Sequence, residues 1–182
     1  MNTNNDLFVY WTLFDNKQWK MHIAATTNGL CYIGSPNGSL ADLSRWLKKR
    51  LPNSVLVQDD QKLQPYIDEL SQYFEGQRQT FTVPVDLYGT PFQLSVWNAL
   101  CEIPYGQTKS YSEIADYLQK PTSIRAVGTA IGANPVLILV PCHRVIGKNG
   151  TLTGYRGGLE MKKQLLELEN KNALNEGKSL HV

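Results

Sequence analysis

The stretch that most constrains this chain is Leu137-Ile138-Leu139-Val140-Pro141-Cys142-His143-Arg144-Val145-Ile146. Its first half is aliphatic, partly β-branched and too short for a typical helix, which predicts a short buried strand or extended segment. Pro141 fixes its own φ and pushes Val140 toward extended geometry, so the backbone entering Cys142 is stiff. A thiol at the end of a stiff apolar segment is placed as a positioned nucleophile.

A free thiol titrates near pH ~8.5, so only a few per cent is thiolate at neutral pH, and a neighbouring base raises that fraction. The chain has three histidines, His22, His143 and His181. His181 stands in a polar tail and His22 is remote in sequence, which leaves His143 as the natural base. Taken alone, a Cys-His pair is more often a core cysteine beside an ordinary histidine, because free cysteine is among the most buried residue types. The rest of the chain has to decide.

With 182 residues, 42% hydrophobic and 19% charged, the chain has enough apolar surface for a core. Three cysteines without a CxxC pair argue for reduced thiols and a cytoplasmic protein rather than a disulfide scaffold. A polar N-terminus and the lack of a long apolar run predict neither a signal peptide nor a membrane span. Net charge is only +2, but residues 104–159 hold six basic side chains (Lys109, Lys120, Arg125, Arg144, Lys148, Arg156) against two acidic ones (Glu113, Asp116). That local excess suits an anionic partner, and it equally suits an ordinary solvated surface. No phosphate-binding glycine loop or dinucleotide fingerprint is present, so no cofactor is expected.

In chain order, residues 7–14, 19–26 and 30–34 are aromatic and β-branched runs divided by Asp15-Asn16-Lys17 and Thr27-Asn28-Gly29, which predicts three antiparallel strands. Ser39 caps a helix to Arg50 with Leu40, Leu43, Trp46 and Leu47 on one face. Residues 53–62 read as a polar loop, 63–75 as a helix stopped by Gly76, and 80–87 as an extended edge containing Pro84. No chemistry-bearing motif appears in this half, and Tyr88-Gly89-Thr90 divides the chain into domains 1–88 and 89–182.

Thr90-Pro91 then opens a helix to Ile103, with Cys101 read as core. Ser110-Tyr111-Ser112-Glu113 has capping-box spacing and opens a helix to Leu118. After Lys120-Pro121, Thr122 or Ser123 caps a third helix, 124–133. The pair suggests helix-turn-helix geometry. The second helix carries Ala126, Gly128, Ala130, Gly132 and Ala133, small residues suited either to tight core packing or to close approach to DNA without base selection. Asn134-Pro135 makes the corner into the Cys142 segment. Gly147-Lys148-Asn149-Gly150 predicts a turn, 151–155 a returning strand, 159–170 a helix, and 171–182 a frayed tail.

Pro141-Cys142-His143-Arg144-Val145, with Tyr111, Arg125-Ala126-Val127-Gly128, Asn134-Pro135, Gly154-Tyr155-Arg156-Gly157-Gly158 and Glu169 in that order, resembles the methylated-DNA–protein-cysteine methyltransferases, in their stand-alone bacterial form. The likeness is strong over 88–170 and one of layout over 1–87. It implies a ribonuclease H-like α/β N-terminal domain, a small antiparallel sheet with helices, and a mostly α, winged-helix-like C-terminal domain with a helix-turn-helix. It also implies a single-use reaction. Cys142 takes an alkyl group from the guanine O-6 position, with thymine O-4 an open second substrate. His143, oriented by Glu169, takes the thiol proton through a water, and Tyr111 supplies a proton as the base leaves.

Arg125 fills the gap left by a flipped nucleotide. Ala126, Gly128, Thr129, Tyr111, Ser112 and Arg144 complete a DNA-binding surface for the minor groove of alkylated duplex DNA, with no sequence preference. Asn134 holds the corner, backbone at Cys142, Val145 and Arg156 reads the guanine edge, and Tyr155 and Gly157 shape the pocket. A monomer without metal is expected; His22 and Cys31 are too few for a closed zinc site. Arg156 stands where a small residue is common in the family, and Ile131 and Leu137 leave substrate breadth open. Two other readings are a relative that recognises alkylguanine without repairing it, which would lack the nucleophile, and a Cys-His-Glu hydrolase on another fold.

Overall fold

The computed structural model describes residues 6–179, with side chains to residue 175. Strand β1 (Leu7–Asp15) pairs antiparallel with β2 (Lys20–Ala25), and β2 pairs antiparallel with β3 (Leu30–Ile33). Helix α1 (Leu40–Arg50) follows, its first turn closed by a bond from the Ser39 amide to Asp42 Oδ2 (3.0 Å). It then returns the chain to a fourth strand.

That strand, β4 (Ser54–Gln58), lies parallel to β1 and makes the sheet order β3-β2-β1-β4. The loop expected over 53–62 is therefore wrong, and the sheet is mixed rather than antiparallel. A helical crossover is the connection a parallel neighbour needs. The five residues of β4 form a half-exposed edge, too short and too weakly alternating to announce themselves. Helix α2 (Asp60–Phe74) starts earlier than expected, because the Asp59 carboxylate accepts from the Lys62 amide (2.9 Å).

Strands β2 and β3 contribute to two cores. Ala24, Cys31 and Tyr32 face Leu43 and Leu47 of α1. Met21, Ile23, Leu30 and Ile33 face the other way, onto Leu63, Leu70 and Tyr73 of α2, and that same cluster runs on into Val96, Trp97, Leu100, Val136 and Met161. One apolar core thus joins the sheet to the C-terminal half.

The C-terminal half opens with α3 (Pro91–Cys101), capped by Thr90 and Gln93. Cys101 ends this helix exposed, not in the core as expected. Helices α4 (Tyr111–Tyr117) and α5 (Ile124–Gly132) pack together. The Trp97 indole fixes α5 to α3 by donating to the Ala130 carbonyl (2.8 Å). Short β5 (Lys109–Ser110) pairs parallel with β6 (Val145–Ile146).

Two expected strands do not form. Residues 137–141 coil: Leu139 N bonds Leu137 O (2.9 Å), Val140 N bonds Val136 O (3.1 Å), and Ile138 has φ +75°. The Asn134 carboxamide takes the place of a strand partner, accepting from Val136 N (2.9 Å) and donating to Val140 O (2.9 Å). Cys142–Arg144 then makes one 3-10 turn. Residues 151–155 carry no strand because the Thr153 and Gly154 carbonyls bond Lys162 Nζ instead (2.9 and 3.3 Å). The final helix, α6 (Leu159–Ser179), continues through most of the expected frayed tail; 180–182 lie outside the described residues. Among those residues no helix is long and apolar enough to cross a membrane.

Candidate active site

Cys142 begins the 3-10 turn and is buried, 4% exposed. The Asn134 amide, besides bracing the corner, donates to the Cys142 sulfur (3.1 Å). Burial pushes the thiol above its ordinary range, while the Asn134 bond and the charges of Arg156 and Lys162 work the other way. The expectation of a positioned thiol holds, but the positioning comes from Asn134 and a coiled backbone rather than from a strand.

His143 and Glu169 are both fully buried and meet at Nε2···Oε1 2.7 Å. Glu169 Oε1 also accepts from Tyr73 Oη (2.7 Å) and Arg144 Nη2 (2.9 Å), and Oε2 accepts from Arg144 Nε (2.9 Å) and the Gly106 amide (3.1 Å). Burial alone would raise the Glu169 carboxyl; the bonds and charges of His143 and Arg144 outweigh it and hold it at about 2. His143 goes the opposite way: burial keeps it below the ordinary imidazole range despite Glu169, with Arg144 and Lys162 adding to the drop. A carboxylate can only accept, so the neutral ring carries its proton on Nε2 and its lone pair on Nδ1. Nδ1 is buried with no hydrogen-bond partner in the protein. A base held in one tautomer follows.

Arg144 is a correction. It was expected on the DNA-binding surface, but it is 7% exposed, paired with Glu169, and donates a further bond to the Ile103 carbonyl (2.6 Å). The buried Glu169 carboxylate on α6, already bonded to His143, lies within reach of the next side chain of the 3-10 turn and holds it inside. Arg156 is also inward-tied: it donates to the carbonyls of Asn134 (3.0 Å), Ile33 (2.5 Å) and Pro135 (3.2 Å), with its guanidinium 5.5 Å from the Tyr32 ring. These bonds clamp the Asn134 corner to β3 and occupy the charge that could have met phosphate.

The remaining expected residues fall on two surfaces. Arg125, Ala126 and Thr129 are exposed on α5 and Gly128 half-exposed, while Val127, Ala130 and Ile131 turn inward. A Cβ at Gly132 would meet nothing within 4 Å, and one at Gly128 would reach only ordinary contact with Tyr111 (3.7 Å). Of the small residues, Ala126 and Gly132 thus lie open, Gly128 and Ala133 are half-buried and Ala130 packs inward. Tyr111 and Ser112 are half-buried at the start of α4, and Tyr111 Oη donates to the Thr153 carbonyl (3.0 Å). The Tyr155 hydroxyl is buried without a partner in the protein. Gly157 has to be glycine, since a Cβ would stand 2.6 Å from the Tyr155 ring and 2.9 Å from Met161 Sδ.

Sequence reasoning missed Lys162 and Tyr73. Lys162 is fully buried and its ammonium donates to the carbonyls of Val145 (2.5 Å), Thr153 and Gly154. Burial lowers it to about 8, against the pull of Cys142. Its signal was helical spacing: Lys162, Leu165 and Glu169 stand at i, i+3 and i+7 on one inward face. Tyr73 had none beyond its place in an apolar stripe. His22 and Cys31 are engaged elsewhere, the ring 5.6 Å from Trp11 and the thiol donating to the Ala24 carbonyl (3.4 Å).

Residues 9–87 match the ribonuclease-like domain of the 6-O-methylguanine DNA methyltransferases, and residues 91–171 match their DNA-binding domain. This chain belongs to that family. Over 171 residues it is 61% identical to the inducible methylated-DNA–protein-cysteine methyltransferase of Bacillus subtilis, covering 94% of this chain and 95% of that one. The Mycobacterium tuberculosis O6-methylguanine methyltransferase superimposes with a TM-score of 0.78 at 40% identity, over 90% of this chain and 94% of its own. The same mycobacterial protein in complex with DNA gives 0.75 at 38% identity, over 91% and 94%. Family membership overturns the hydrolase reading.

Proposed function

We propose that residues 89–182 bind duplex DNA carrying O-6-alkylated guanine, and that Cys142 removes the alkyl group, once per chain, while residues 1–88 buttress the site. The observation that carries the reading is the buried Cys142–His143–Glu169 arrangement, with its imidazole held neutral and Nδ1 as the free base. Cys142 Sγ loses its proton through a water to His143 Nδ1. The thiolate attacks the alkyl carbon, forming an S–C bond as the C–O bond breaks. The guanine, still joined to its sugar, takes a proton from the Tyr111 hydroxyl, and the proton held on His143 returns to Tyr111 through solvent. The thioether has no chemical route back, so each chain reacts once.

A duplex hides the alkyl carbon from a buried thiol, so the nucleotide has to turn out of the stack, at roughly a few kcal/mol. The small open face of α5 lies in the minor groove, and Arg125 enters the gap. With Arg144 and Arg156 both tied inward, phosphate contacts fall to other groups. The retained thiol on Cys142 weighs against a recognition-only relative.

Cys142→Ser should abolish transfer while leaving lesion binding intact, measured by fluorescence anisotropy. Arg125→Ala should slow transfer from duplex DNA roughly tenfold or more, equivalent to 1.4 kcal/mol or above, and leave reaction with the free modified base near normal. Equal slowing on both substrates would remove Arg125 from the extrusion step.

A further inference from the structure

Tyr73 belongs to no motif and comes from the half of the chain that carries none, yet it reaches the centre of the site. It is fully buried on α2. Its hydroxyl donates to Glu169 Oε1 (2.7 Å) and lies 3.5 Å from His143 Nε2. Phe74 and Tyr105 meet its ring edge-on, at centroid distances of 5.6 and 6.1 Å, and Phe81 packs at 5.4 Å. The ring cannot swing the hydroxyl away. Phenylalanine would fill the same space, and burying the hydroxyl carries a cost that its bond to Glu169 offsets. Packing therefore accounts for the ring and not for the oxygen.

We propose that Tyr73 is a positioning residue for His143: its hydroxyl shares Glu169 Oε1 with the imidazole and thereby sets how strongly His143 is held. The inference rests on the reading of Cys142 as the alkyl acceptor. An oxygen that accepts from Tyr73, Arg144 and His143 together is a weaker acceptor for each than one serving two donors. The charged and titratable groups facing the His143–Glu169 pair are Arg144 from the 3-10 turn, Lys162 from α6, Tyr73 from α2 and Tyr155 from the segment before α6, with Tyr105 behind them against Tyr73 and Arg144. Arg144 and Lys162 oppose a positive imidazole and Glu169 favours it. The Tyr73 hydroxyl tempers Glu169, so that the ring stays neutral and able to take a proton. The ribonuclease-like half thereby contributes to the reaction through one oxygen atom.

Proton NMR of the full-length protein with 15N-labelled histidine tests this, since three histidines give an assignable spectrum. In Tyr73→Phe, the His143 Nε2–H resonance should move downfield as its bond to Oε1 strengthens. The acidic limb of the single-turnover rate should move up by ~0.5 pH unit, the size expected when one bond to a carboxylate is redistributed. DNA affinity should be unchanged. Site-specific replacement of Tyr73 by 3-fluorotyrosine, a stronger donor of nearly the same size, should shift both readouts the opposite way, and it covers the case in which the phenylalanine variant folds poorly. A lower melting temperature with an unmoved Nε2–H resonance and rate limb would reduce Tyr73 to packing and overturn the proposal. Absence of transfer to Cys142 in the unsubstituted protein would instead break the functional reading, leaving the His143 resonance as a separate result.

Discussion

The two halves of this chain differ in how their chemistry is written. The C-terminal half spells its site in short motifs, where Asn134, Cys142, His143 and Arg144 lie within eleven residues of one another. The N-terminal half spells nothing, yet it closes the same site with a hydroxyl from Tyr73 and the Ile33 carbonyl that holds Arg156. The contrast teaches that short motifs can carry a thiol and the base beside it, whereas a buttress can come from any element the core brings close. The shared cluster running from Met21 to Met161 is what brings them together.

The sharpest way to break that contrast is at Glu169, where both halves meet. Glu169→Gln leaves Arg144 buried without its counter-charge and should destabilise the protein by roughly 3 kcal/mol, read by urea unfolding. The same variant tests the pH dependence. A carboxyl held at about 2 in the folded chain, against ~4.3 unfolded, stabilises fully above pH ~4.3. That contribution is lost as pH falls through the folded value. His143, held low in the folded state, adds a loss beginning below pH ~6.5, because the unfolded chain binds its proton first. The native protein should therefore weaken steadily from mildly acidic pH downward, and the variant should lack the part below pH ~4.3.

Next in size is Lys162, which acts wholly inside the C-terminal half. Lys162→Met keeps the stem and removes three carbonyl bonds, for an expected loss of roughly 2 kcal/mol. Because Val145 and Thr153 lose their tether, transfer should slow more than stability alone explains, as measured by rapid-quench kinetics at a temperature where the variant is fully folded. The smallest effect is expected at Cys101, an exposed thiol outside the network. Cys101→Ser should change stability by less than about 0.5 kcal/mol and leave transfer intact. It should also remove the fast phase of labelling by a thiol reagent, because Cys31 and Cys142 are buried and Cys31 is pushed up to about 12.

How legible the molecule is follows the same division. The antiparallel strands, most helix starts and the Cys142–His143 pair are readable, because turn residues, caps and adjacent functional groups act over a few positions, whereas Glu169, 26 residues beyond His143, is singled out only by the family resemblance. β4 escapes because a five-residue edge strand takes its identity from the neighbour it pairs with. The coil at 137–141 escapes because a side chain, Asn134, satisfies the backbone that a strand partner would have satisfied. Arg144 and Arg156 look like free cations in sequence; their partners, Glu169 and the carbonyls of Ile33, Asn134 and Pro135, are assembled only by the fold. Lys162 is half legible, by its spacing to Glu169, and Tyr73 is silent because an apolar stripe gives no reason to ask about its oxygen.

The most direct measurement is the intact mass of the protein after mixing with excess duplex DNA containing one O-6-methylguanine. The account predicts the gain of one methyl group per chain, mapped to Cys142 by peptide sequencing, with no second addition at longer times. An unchanged mass despite tight, lesion-selective binding would contradict it, and would mean that the buried thiol beside His143 recognises the lesion without removing it.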